Sequence, residues 1–172
     1  MPVAGLALRG AQVLSTVVVL GVSVSLIKDQ DSERTVPAAL SYAAFVGGVG
    51  LLGAIIGITS NWVDMLQGII MGGIDVLMAI FNLAGGVVLA YKLRGITCSS
   101  GEELNLREMR KNELLNGGCV VFRGNQVCAY GGDPGKMQSR CKQNEADAAF
   151  MFIGFIVLAA CLVITFLQTR RK

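Results

Sequence analysis

Four long stretches without charge limit what this chain of 172 residues can become. Residues 10–27, 37–60 and 148–169 carry no charged side chain, and residues 65–91 carry one, Asp75. Each stretch has 18 residues or more, which at 1.5 Å per helical residue is enough for a hydrocarbon core about 30 Å thick. In such a slab the backbone must satisfy its own hydrogen bonds, so the stretches read as helices. The alternating ten-residue pattern of barrel strands is missing. A soluble domain would spread its charges along the sequence; here they are segregated between the runs. The expected fold class is an all-α membrane protein: a four-transmembrane-helix bundle, one domain over residues 1–172, with spans near 8–27, 38–60, 65–91 and 147–169. The first run is longer than a usual signal-peptide core and reads as a retained span.

The longest polar segment, residues 92–146, reads as a structured loop. Ser100-Gly-Glu-Glu103 has the spacing of a capping box, and a short amphipathic helix is expected from there to Asn116-Gly117-Gly118. Cys119-Val-Val-Phe-Arg-Gly-Asn-Gln-Val-Cys128 then reads as a small β-hairpin. A two-residue turn at Arg123-Gly124 would set Cys119 opposite Cys128, with glycine where a tight turn needs positive φ.

Four of the five cysteines lie in this loop. Of the three pairings open to them, the nested one is favoured. Cys119–Cys128 follows from the hairpin register, and Cys98–Cys141 would tie the ends of spans 3 and 4 together. A zinc site would bring cysteines in close pairs, but here 20, 8 and 12 residues separate them, so no metal is expected. Disulfides need an oxidising compartment, which places the loop outside the cell and both termini in the cytosol. The positive-inside tendency points the other way, since 11 of the 15 Lys and Arg residues lie on the cysteine side. That tendency weakens for loops approaching 60 residues, so the cysteines decide.

Within the spans, Gly47, Gly50, Gly53 and Gly57 of the second and Gly68 and Gly72 of the third are expected to let helix backbones approach closely. Asp75 is expected to face the bundle interior, because an ionised carboxylate at mid-bilayer costs about 2.5–3.5 kcal/mol. Asn82 shares its helix face, and Tyr42 and Ser15 are the expected partners on other spans. The chain has no histidine, which removes imidazole ligands and histidine-based triads. No nucleophile-plus-base pair or carboxylate pair is placed for catalysis, so no enzyme is expected, and a net charge of +3 suggests no nucleic-acid partner. Arg170, Arg171 and Lys172 are placed to meet anionic lipid headgroups at about 1 kcal/mol per charge.

The stretch from Asp75 through Leu83-Ala-Gly-Gly-Val-Val-Leu-Ala-Tyr-Lys-Leu-Arg94-Gly-Ile-Thr-Cys98, with Arg140-Cys141-Lys142-Gln143 leading to Ala148-Ala149-Phe150, resembles the fungal non-classical export proteins, tetraspan members of the MARVEL-domain superfamily. The four-span plan covers nearly the whole chain; the specific matches lie in span 3 and the approach to span 4. The resemblance implies a multi-pass plasma-membrane scaffold organising lateral domains rich in sterol and sphingolipid, as in the eisosome, by self-association and with membrane or coat protein partners. It also implies that Cys98–Cys141 is the family's loop bridge. The chain departs from the pattern in its extra Cys119–Cys128 hairpin and in a short tail after span 4, which argues against recruiting a coat through that tail. No cofactor is expected beyond bound lipid or sterol. Two other readings stand beside the scaffold: a small transporter or channel using Asp75, and an extracellular adhesion module working through residues 119–128.

Overall fold

A computed structural model describes residues 2–30, 36–59, 69–122 and 125–170. Among the described residues, four helices are long and apolar enough to cross a membrane. They lie within α1 (Pro2–Lys28), α2 (Ala38–Thr59), α3 (Ile69–Lys92) and α5 (Pro134–Arg170); between α3 and α5 come a short α4 (Glu103–Lys111) and strands β1 (Cys119–Phe122) and β2 (Asn125–Cys128). α1 packs on α2 and α5, and α3 packs on α2 and α5, so the long helices close into a ring.

The outer surface of the ring is unlike that of a water-soluble protein. Leu14, Phe45, Leu52, Ile80, Ile156 and Val163 all point outward and are more than half exposed. Gln12, Ser15, Thr16, Ser23, Asp75, Asn82, Asn144 and Asp147 are buried inside. An apolar exterior around a core that also holds these polar groups suits an apolar solvent, where intramembrane polar groups turn towards the bundle.

Helix contact is closest where side chains are missing. A Cβ on Gly47 would lie 2.8 Å from the backbone nitrogen of Leu20 and 2.9 Å from its Cα, so α1 and α2 meet backbone to backbone there. Gly50 receives the Thr16 methyl group, and Gly57 lies under the Arg9 guanidinium. Gly53 makes ordinary van der Waals contact with Ile74. Gly72 is a correction, because a Cβ there would meet nothing within 4 Å. Gly68 lies outside the described residues. Three unexpected span glycines also seat neighbours: Gly85 faces Met151, Gly86 faces Phe152, and Gly154 faces the Asn82 side chain.

The segment after α3 forms a cap over one end of the ring. Disulfides join Cys98 to Cys141 and Cys119 to Cys128. The strands pair antiparallel with Cys119 opposite Cys128 and Val120 opposite Val127; the turn residues Arg123 and Gly124 lie outside the described residues. Met109, Leu114, Leu115 and Met137 are fully buried and join the cap to the main core. At Gly117 φ is +71°, and the Tyr130 ring occupies the space a Cβ would need, so only glycine fits.

Two local expectations are corrected. Ser100 and Glu103 do not form a capping box. The N-cap is Glu102, whose side chain makes no cap bond, and the Ser100 hydroxyl accepts from the Glu102 N–H instead. The amphipathic helix stops at Lys111, before Gly117. Asn112 leaves the helical conformation, its amide donates to the Lys92 carbonyl, and its side-chain oxygen accepts from the Leu114 N–H. Local side-chain bonding of this kind competes with helix continuation.

Candidate functional site

The bundle interior holds an ion pair that links the first and third long helices. Asp75 is 1% exposed, and both its oxygens are engaged. Arg9 Nη1 donates to Oδ1 at 2.7 Å, and Nη2 donates to Oδ2 at 2.6 Å. This two-pronged match of planar groups is the strongest form of the contact. Nη1 also donates to Gln12 Oε1, one turn along α1, at 2.8 Å. The absence of a side chain at Gly57 on α2 gives the guanidinium its seat. One contact therefore brings three helices together.

The expected partners of Asp75 are corrected. The Ser15 hydroxyl donates to the Ala11 carbonyl within its own helix, and the Tyr42 hydroxyl donates to the Phe81 carbonyl at 3.1 Å. A buried carboxylate gains far more from a cation than from a hydroxyl. Asn82 binds the Met78 carbonyl and sits against Gly154, apart from the ion pair.

A second polar seam runs between α1 and α5 under the cap. Arg140 is 2% exposed and spends its donors on four acceptors. Nε donates to the Leu114 carbonyl at 3.1 Å; Nη1 donates to the Leu26 carbonyl at 3.1 Å and Asp29 at 3.4 Å; Nη2 donates to Gln30 at 3.0 Å. The arginine thus fastens the end of α1 to both α5 and the cap. The Tyr130 hydroxyl adds a bond to the Asp29 carbonyl, and its ring lies under Lys136. Deeper in the seam, the Ser23 hydroxyl donates to Asp147 Oδ2 at 2.6 Å. Asn144 Oδ1 and Asp147 Oδ1 have no partner in the described protein.

Sequence reasoning missed Arg9 as an interior group, although a signal was available. Residues 3–8 are uncharged and apolar, so the helix could continue before Arg9, and Gln12 lies one turn later on its face. It missed the α5 seam as well, where Arg140, Asn144 and Asp147 follow the i, i+4, i+7 spacing of one helix face. Of the terminal cations, Arg170 closes α5, while Arg171 and Lys172 lie outside the described residues. Cys161 is buried in the bundle with a free thiol. No group of three His, Cys, Asp or Glu residues is placed to hold a metal among the described residues.

The closed ring, apolar exterior and internally paired charges define a four-helix membrane protein. Over residues 3–164 the chain matches the MARVEL membrane-associating domain, and it belongs to that family. Its function in general terms is therefore membrane association and membrane organisation. No curated protein and no solved structure matches the chain.

Proposed function

We propose that the protein is a plasma-membrane scaffold that gathers lipid and protein into lateral domains of the eisosome type by self-association. The observation that carries this reading is the two-pronged closure of Asp75 by Arg9. A carrier group must release and regain its cargo, whereas this carboxylate has both oxygens committed inside the bundle. What remains for interaction is the outer surface: broad apolar helix faces towards lipid, and a cap at one end. Such a surface acts through lateral contacts with sterol, sphingolipid and further copies of the chain.

The cap disulfides support an orientation with residues 92–146 outside the cell and both termini in the cytosol, because such bonds persist in oxidising compartments. In this orientation Arg170–Lys172 meet the anionic inner leaflet.

Fluorescently tagged chains in a cell membrane test the reading. Long-lived patches with slow fluorescence recovery, dispersing on sterol extraction, are the expected result, and D75N in an R9Q background should form them equally well. Freely diffusing single copies at all expression levels would overturn it. The orientation is tested by a membrane-impermeant thiol probe on intact cells, which should label the cap cysteines only after reductant.

A further inference from the structure

Two carboxylates lie inside the bundle, and their surroundings differ. Asp75 meets a guanidinium with both oxygens. Asp147 is 0% exposed and has a single donor, the Ser23 hydroxyl on Oδ2. Its Oδ1 has no partner among the described residues. Three residues earlier on α5, Asn144 is fully buried as well. Its amide nitrogen donates to the Arg140 carbonyl at 2.8 Å, so Oδ1 is the free end, and that oxygen also lacks a partner. The i, i+3 spacing makes the two side chains neighbours on one helix face. Two buried acceptors therefore share one stretch of the α1–α5 seam, and neither has a donor.

No cation among the described residues is placed to balance Asp147. α1 carries no titratable side chain from Gly10 to Ile27, and α3 carries none from Val76 to Ala90. At the cap ends of these helices Lys28, Asp29, Tyr91 and Lys92 are exposed. α2 carries Tyr42, whose hydroxyl is engaged by the Phe81 carbonyl. On α5 Lys142 and Glu145 are exposed, as are the charged residues of α4. Arg140 lies about 10 Å away along the α5 axis, with its donors on Leu114, Leu26, Asp29 and Gln30. A carboxylate buried without a cation neutralises by taking up a proton. A proton also answers the hydrogen-bond deficit. On Asp147 Oδ1 it turns an acceptor into a donor, and Asn144 Oδ1 is the neighbouring acceptor.

We propose that the seam between α1 and α5 is a proton-binding site, in which Asp147 carries a proton on Oδ1 and donates it to Asn144 Oδ1. Release of that proton to water leaves a buried charge held by Ser23 alone. α1 and α5 then loosen beneath the cap, where Arg140 holds the end of α1. The site answers to pH and does not depend on lateral clustering, so it stands or falls apart from the scaffold reading.

The test uses the full chain in phosphatidylcholine nanodiscs and infrared difference spectra of the parent against D147N. Spectra are taken at about pH 5.5, where a free aspartate, with a pKa of about 3.9, is ionised. The parent should show the carbonyl band of one protonated carboxyl, which D147N lacks and R9Q/D75N keeps. N144A, which removes the acceptor, should shift that band without abolishing it. In alkaline buffer the band should disappear, and amide exchange over residues 24–30 should run about tenfold faster than in D147N at the same pH. Isotope-labelled aspartate in the parent assigns the band without recourse to a variant, and non-reducing electrophoresis checks that both disulfides are intact in each one. Finding only ionised aspartate at the acidic pH would overturn the proposal. So would a band that N144A leaves unmoved, which would give the proton to a bound water, or one that sodium chloride removes and choline chloride does not, which would make the seam a metal-cation site. Equal exchange in the parent and D147N in alkaline buffer would refute the coupling of this proton to the seam.

Discussion

The membrane bundle and the cap solve one problem with opposite means. In lipid, apolar side chains gain nothing by leaving their solvent for one another, so the bundle relies on close packing and polar contacts. Gly47 lets two backbones touch, and Arg9 clamps Asp75 from across the ring. In water the cap has the hydrophobic effect available but little material for it. Its core is Met109, Leu114, Leu115 and Met137, and two covalent bridges supply what so small a core lacks. Arg140 joins the two regimes, as a buried cation whose acceptors come from α1 and the cap. The kind of solvent around each region thus decides which interaction holds it.

The comparison breaks first, and most severely, at the ion pair. R9L should leave a buried carboxylate without its cation and cost about 3–5 kcal/mol, whereas R9L/D75L should recover most of that loss. Denaturation in mixed micelles measures both. A cost below about 1 kcal/mol for R9L, of the order of an exposed pair, would mean that packing alone holds the bundle.

The next effect belongs to the cap. Chain-entropy reasoning gives about 4 kcal/mol for the Cys98–Cys141 bridge, which spans 43 residues, and about 2.5 kcal/mol for Cys119–Cys128, which spans 9. Limited proteolysis of C98S/C141S should therefore cut the cap faster than that of C119S/C128S, while the four long helices stay protected. The reverse order would show that the hairpin, rather than the bridge between the long helices, holds the cap in place.

Smaller effects sharpen the picture inside the bundle. G47A places a methyl group against the Leu20 backbone and should cost about 1–3 kcal/mol by overpacking. G72A, at a glycine facing open space, should fall within about 0.5 kcal/mol of the parent. Equal effects at the two positions would show that α1 and α2 separate at little cost, and that the close approach is not what orders the ring.

The sequence made the four helices legible because lack of charge over 18 residues has few other meanings. Asp75 was legible as an interior group for the same reason. Its partner was not. Arg9 stands at the edge of an uncharged run, and a cation there reads as a headgroup anchor until the helix is seen to begin at Pro2. Arg140 was hidden similarly: it lies in a polar stretch that resembles a surface loop, yet α5 starts at Pro134 and carries it inward. The glycines divide along the same line. Spacing marks which glycines share a helix face, but not which face meets a neighbour, so Gly72 was overvalued and Gly154 overlooked. The helix stop at Asn112 depended on an amide finding the Lys92 carbonyl, a contact twenty residues distant.

The 66-residue sequence separation of Arg9 and Asp75 also bears on biosynthesis. At about 5–20 residues per second, the ribosome needs roughly 3–13 s to produce the carboxylate after the guanidinium has emerged. During that interval the amino-terminal turn has no counter-charge, and water or the insertion machinery must shelter it. The first helix therefore gains its internal counter-charge only when the third arrives.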